Sequence, residues 1–154
     1  MATFNEKLKA TGKVNFKLFD KEGNLKEEKS INNLVVTTGL EYIAGRMAES
    51  GRPAQMSHMA IGEGTGAPTL SDPGLGNEAG RVALAIAGGT PSGATITYSA
   101  TFPAGTGTGA ITEAGIFNDD GDPDGGDMLC RTTFLVINKG VDDSLAVTWE
   151  VTIS

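Results

Sequence analysis

The chain has 154 residues, 39% of them hydrophobic and 20% charged, with 22 glycines and a formal net charge of −7. That length suits one domain with a real core, and the composition is too apolar and too patterned for a disordered chain. Residues 1–52 carry nine Lys and Arg against seven Asp and Glu, while residues 53–154 carry three against twelve; such an acidic body repels nucleic acid, whose phosphates need basic neutralisation.

Residues 1–36 read as an N-terminal arm and hairpin used in assembly. In "GKVNFKLFD" (Gly12–Asp20), Val14, Phe16 and Leu18 alternate with Lys13, Asn15 and Lys17, the period of a half-buried strand. "DKEGN" is a turn, and "LKEEKSINNLVV" (Leu25–Val36) resumes extended chain, so the two segments pair as a hairpin. Lys7, Lys9, Lys13 and Lys17 are candidates for contact with an acidic partner, although a charge run ordinarily marks a solvated strand face.

The next segment, "TTGLEYIAGRMAESGRP", predicts the one helix of the chain, near 38–50. Thr38 followed by Glu41 has the spacing of a capping box. Leu40, Ile43, Ala44, Met47 and Ala48 fall on one helical stripe. Gly51 is placed to end the helix and Pro53 to prevent its continuation. Gly45, inside it, costs roughly 1 kcal/mol against alanine, which a close approach to another backbone would explain.

Beyond the helix, "AQMSHMAIG" (Ala54–Gly62) predicts a buried strand, followed by a long glycine- and proline-rich loop over residues 62–80. "RVALAIA" (Arg81–Ala87) is a strand, "GGTPSG" a turn, and "ATITYSATFPA" (Ala94–Ala104) an alternating strand with Ile96, Tyr98, Ala100 and Phe102 on one face. "AITEAGIFN" (Ala110–Asn118) and "MLCRTTFLVIN" (Met128–Asn138) are strand-like in composition. "SLAVTWEVTIS" closes the sequence with Leu145, Val147, Trp149, Val151 and Ile153 pointing inward. Short strands between Gly/Pro turns predict a mainly β fold, a single domain over 1–154. Its expected form is an antiparallel β-sandwich of seven or eight strands, jelly-roll-like or immunoglobulin-like, with one short helix.

Several stretches invite a chemical reading. "FNDDGDPDGGDML" (Phe117–Leu129) holds five aspartates within nine residues. Counted from Asp120, it supplies Asp120, Asp122, Asp124 and Gly125 as the first half of an EF-hand loop, but the twelfth position is Arg131 where a bidentate glutamate is required. Strands rather than helices flank it, so the EF-hand fails. Asp120, Asp122 and Asp124 remain the candidates for a weak, irregular Ca2+ site at a hairpin tip, against a solvated acidic turn; no metal or other cofactor is otherwise expected.

His58 has no Cys/His cluster around it and reads as structural. Cys130 is the one cysteine, so no disulfide forms within the chain, and a strand position makes it a buried, inert thiol. "GEGTGAP" (Gly62–Pro68) lacks the Gly-Lys-Ser/Thr ending of a phosphate loop and is expected to be a conformable surface loop packed against a neighbouring subunit. No pair of carboxylates is marked out for acid–base catalysis, and no catalytic residues are assigned. "MATFNEKLKATGK" has no apolar core of a signal peptide, and no apolar run reaches the length of a membrane span. The expectation is a protein made in a reducing compartment, without a membrane or nucleic-acid partner.

Taken together, "NNLVVTTGLEYIAGRM", "MSHMAIGEGTGAPTLSDPGLGNEAGRVAL", "ATFPAGTGTGAITEAGIFN" and "MLCRTTFLVINKGVDDSLAVTWEVTIS" resemble small tailed-bacteriophage virion proteins, a group labelled head decoration (cement) or tail fibre proteins. The resemblance covers roughly residues 12–154, and "ITEAGIF" and "SLAVTWEVTIS" are its most telling pieces. It implies a β-sandwich that assembles with itself, as a trimer, on a phage particle, after synthesis in the host cytoplasm. It implies either a capsid decoration protein that binds the major capsid protein and stabilises the shell, or a tail fibre, collar or adaptor module in host attachment. The hairpin and the helix are the expected place of attachment, with Lys7, Lys9, Lys13, Lys17, Tyr42 and Arg46 as candidate interface residues. The acidic hairpin tip is expected to face outward.

Overall fold

In the computed structural model, which describes residues 7–118 and 126–154, alternation becomes strands almost everywhere it was seen. The elements are β1 (Ala10–Phe19), β2 (Leu25–Val35), α1 (Thr37–Arg46), β3 (His58–Gly62), β4 (Glu78–Ala83), β5 (Thr90–Ser92), β6 (Thr95–Phe102), β7 (Gly109–Phe117), β8 (Met128–Lys139) and β9 (Ser144–Ile153). Among the described residues there are nine strands rather than seven or eight, because the predicted turn "GGTPSG" contains the short β5 on the edge of β6.

The strands form one antiparallel sheet in the order β4-β3-β7-β8-β2-β1-β9-β6-β5, curled into a half-barrel. Pairing falls into two blocks. The β2–β1–β9–β6–β5 block is joined to the β8–β7–β3–β4 block only through Leu34 and Val35 at the end of β2, which pair with Arg131 and Cys130. At the opposite side the chain leaving β4 returns to β6, where the Ala85 N–H donates to the Ser99 carbonyl at 2.8 Å. That crossing ends β4 at Ala83, short of the strand predicted to reach Ala87.

Period-two patterning places the core. Val14, Phe16 and Leu18 of β1, Leu145, Val147, Trp149 and Val151 of β9, and Tyr98, Ala100 and Phe102 of β6 line the concave face opposite Met59, Ile61, Ile111, Ile116 and Cys130. The Trp149 indole N–H donates to the Asn33 carboxamide at 3.0 Å, so the largest core side chain also has its polar atom satisfied. β7 reads as a near-continuous apolar run because both of its faces are covered. Ile111, Ala114 and Ile116 face the main core, while Phe117 joins a second cluster with Val36, Ala60 and Met128, capped by Leu75 of the loop between β3 and β4.

The helix departs from its prediction in three ways. It runs Thr37–Arg46 and is preceded by Val36 with no side-chain cap. The Thr38 hydroxyl donates instead to the Met128 carbonyl at 2.9 Å, so tertiary contact displaces the capping box. Of the predicted apolar stripe Ile43 packs against the core, but Leu40 and Met47 are exposed, and the buried residues are Gly39 and Tyr42. The close backbone approach sits at Gly39, where a Cβ would overlap the Leu129 carbonyl, whereas Gly45 meets the ring of Pro53.

Candidate functional site

The loop expected over 62–80 spans residues 63–77, because β4 begins at Glu78 rather than Arg81, and it is held by a buried charge cluster. Glu113 projects from β7 toward the loop and is fully buried. Its carboxylate accepts backbone N–H groups from Gly64 at 2.7 Å, Gly76 at 2.7 Å and Asn77 at 2.8 Å. Arg131 of β8, which stands opposite Gly115 in the register, donates to the same carboxylate through Nε at 3.2 Å and Nη2 at 3.0 Å. Through Nη1 it reaches Asp72 at 2.9 Å. Asp72 in turn accepts the Thr69 N–H and hydroxyl at 2.9 and 2.7 Å. Further hydrogen bonds tie the loop down at Thr112 to Gly64, Glu63 to Asn77 and Thr37 to Leu70.

The loop that resembled a phosphate cradle therefore does cradle an anion, the chain's own Glu113. Gly64 is required here, since any Cβ would run into that carboxylate. Burial pushes Glu113 up, but the hydrogen bonds from Asn77, Gly76, Arg131 and Gly64 outweigh it and hold the group below the usual carboxylate range. Asp72 is shifted the same way: burial raises it, and Thr69 and Arg131 more than offset that. Sequence reasoning met Arg131 only as a misfit in a calcium loop. Its partners lie 18 and 59 positions away, and no local spacing announces them.

A cleft of about 890 Å³ lies beside this cluster, lined by Gly64, Asp72, Asn77, Glu78, Arg81 and Arg131 among others. Its two guanidinium groups are both engaged. Arg81 bonds Glu78 through Nε at 3.1 Å and Nη2 at 2.7 Å, and lies over the Phe117 ring at 4.0 Å. Among the described residues no group of three or more His, Cys, Asp or Glu could hold a metal. The calcium candidates Asp120, Asp122 and Asp124 lie outside the described residues. Just beyond them, Asn118 and Asp127 close the neck of that hairpin, the Asp127 N–H donating to the Asn118 side chain at 2.6 Å.

The other singled-out residues fall in quiet settings. His58 Nδ1 shares a 2.8 Å hydrogen bond with the Ser57 hydroxyl. Cys130 is fully buried and burial pushes its thiol well up. Lys139, missed in the sequence, is buried with Nζ donating to the Pro103 carbonyl at 2.9 Å. Among the described residues no helix is long and apolar enough to cross a membrane.

The candidate interface residues divide by position. Lys7, Lys9, Lys13 and Lys17 are all exposed. Lys13 stands opposite Glu150 and Lys17 opposite Glu28 in the strand register, so two of the four lysines have an acidic neighbour. Tyr42 is buried and its hydroxyl accepts the Met56 N–H at 3.2 Å. Arg46 is exposed, and donates to the Pro53 carbonyl at 2.8 Å. Both line a mainly apolar groove of about 380 Å³ between α1 and the β5–β6 end of the sheet, with Ile43, Ile96, Tyr98 and Ile153.

One surface was not foreseen. Between the pairs Ile111–Ile137 and Glu113–Thr133, β7 has one residue where β8 has three. This bulge turns Phe134 inward, where its ring lies 4.5 Å from that of Phe16. It leaves Leu135 82% and Val136 42% exposed. Here β8 has left β2, and Leu25 and Val141, at the β2 start and the β8–β9 turn, are exposed as well. The chain matches no protein-family model, no curated protein and no solved structure.

Proposed function

We propose that this chain is a structural subunit of a phage virion, a decoration protein that binds the major capsid protein and stabilises the shell. The resemblance over residues 12–154 is the basis of this reading. One structural observation carries it further: the buried ionic groups are engaged in holding loops, and the exposed large apolar residues supply contact surface. Glu113, Arg131 and Asp72 clamp the loop between β3 and β4, and the buried Asp143 of the β8–β9 turn is held by Lys26 of β2 at 2.8 Å. Leu25, Leu135, Val136 and Val141 stand outside. Such a molecule works by burial at interfaces rather than by bond chemistry. In this reading the two blocks of the half-barrel act as the layers of a β-sandwich, and copies assemble as a trimer.

A tail fibre, collar or adaptor module is the second reading, favoured by the long loop between β3 and β4 at the surface. Binding separates the two. The purified protein, labelled and added to shells stripped of it and to host cells, should bind the shells saturably and leave the cells bare. Binding to cells without binding to shells would overturn the decoration reading in favour of the tail module.

A further inference from the structure

We propose that β2 is a self-pairing edge, joining two copies of the chain antiparallel about a two-fold axis through Glu28. Among the described residues, β2 pairs β8 only at Leu34 and Val35, so Leu25–Ile31 has β1 on one side and no strand on the other. The Asn32 carbonyl, the next along, faces β8 and accepts the Thr132 hydroxyl at 3.2 Å. With a period of two, Glu28 and Ser30 therefore aim their backbone N–H and C=O groups outward. A strand edge in this condition is a template for another strand.

The side chains select the partner. Ile31, Lys29 and Glu27 stand opposite Val14, Phe16 and Leu18 in the register, so they share the concave face, and the register shifts beyond Glu27, where Leu25 stands opposite Phe19. Charges on the inner face of an edge strand ordinarily repel an incoming strand. Here they are of opposite sign, 3.2 Å apart, and mirrored about Glu28. In a two-fold pairing centred on Glu28, Glu27 meets Lys29 of the second copy, twice. Centring on Glu27 sets Glu27 against itself, and centring on Lys29 sets Lys29 against itself. The same charges thus exclude foreign strands and fit a second copy. The one like-charge pair, Glu28 with Glu28, falls on the solvent side. A two-fold contact of this kind links one oligomer to the next rather than closing a three-fold ring, and it holds whatever particle the protein belongs to.

Cross-linking in solution reads both register and charge. Glu28→Cys brings two thiols together across the axis, whereas Ser30→Cys leaves them about 13 Å apart, four strand residues out of register. With a thiol cross-linker shorter than about 10 Å, Glu28→Cys should give covalent dimers and Ser30→Cys should not; the buried Cys130 is silent. In the Glu28→Cys background, Lys29→Glu and Glu27→Lys should each lower dimer yield at least roughly ten-fold, by turning attractive pairs into repulsive ones. Mixed one to one, those two variants should recover the yield, because each restores the other's partner. Circular dichroism of each variant confirms that it is folded. Equal cross-linking of Ser30→Cys and Glu28→Cys, no cross-linking of Glu28→Cys, or a mixture no better than its components would each overturn the proposal.

Discussion

Among the described residues, Glu113 accepts hydrogen bonds from three loop backbone N–H groups and from Arg131. A buried carboxylate is costly unless its oxygens are satisfied in this way. Removing the charge leaves Arg131 buried beside a neutral amide, so Glu113→Gln should cost about 3–5 kcal/mol at neutral pH, measured by urea unfolding. Because the folded-state values of Glu113 and Asp72 lie below their unfolded ones, both groups add stability above the ordinary carboxylate range. That contribution is lost as pH falls through about 4 toward the depressed folded values. The melting temperature of the wild type should therefore drop more steeply on acidification than that of Glu113→Gln; parallel curves would contradict the cluster. None of this was visible in "ITEAGIF", where Glu113 reads as one polar residue in an apolar strand. A carboxylate held by groups 18 to 49 positions away leaves no trace in local spacing.

Among the elements, legibility followed burial on one face. β1 and β9 are half-buried and alternate cleanly, so their inward residues were read directly; they now lie side by side, Val14 opposite Trp149 and Phe16 opposite Val147. β7, covered on both sides, gave its strand character but not its second face. β8 hid its bulge, since Phe134, Leu135 and Val136 in succession fit any buried strand. The helix misled most. Its stripe was chosen by apolar size, whereas its packing face is set by Gly39, which allows α1 to rest on the Leu129 carbonyl. Gly39→Ala should force the helix outward and cost roughly 1–3 kcal/mol, despite alanine's better helix propensity. A loss below about 0.5 kcal/mol in urea unfolding would mean that the helix does not rest there.

At the scale of the whole molecule, the half-barrel arranges three surfaces with different uses. The clamped loop between β3 and β4 gives a firm face, the groove beside α1 an apolar recess, and the split between β2 and β8 an open edge. Within the hairpin expected to seek an acidic partner, Lys17 and Lys13 stand opposite Glu28 and Glu150 across the register, while Lys7 and Lys9 stand exposed. The central claim is that this chain covers a phage shell in many copies. Copy number and position in a density map of the intact particle test it most directly. The account predicts copies distributed over the shell at its symmetry axes, in numbers that scale with the capsid lattice. A few copies confined to the tail or its vertex, or none on the particle, would contradict it.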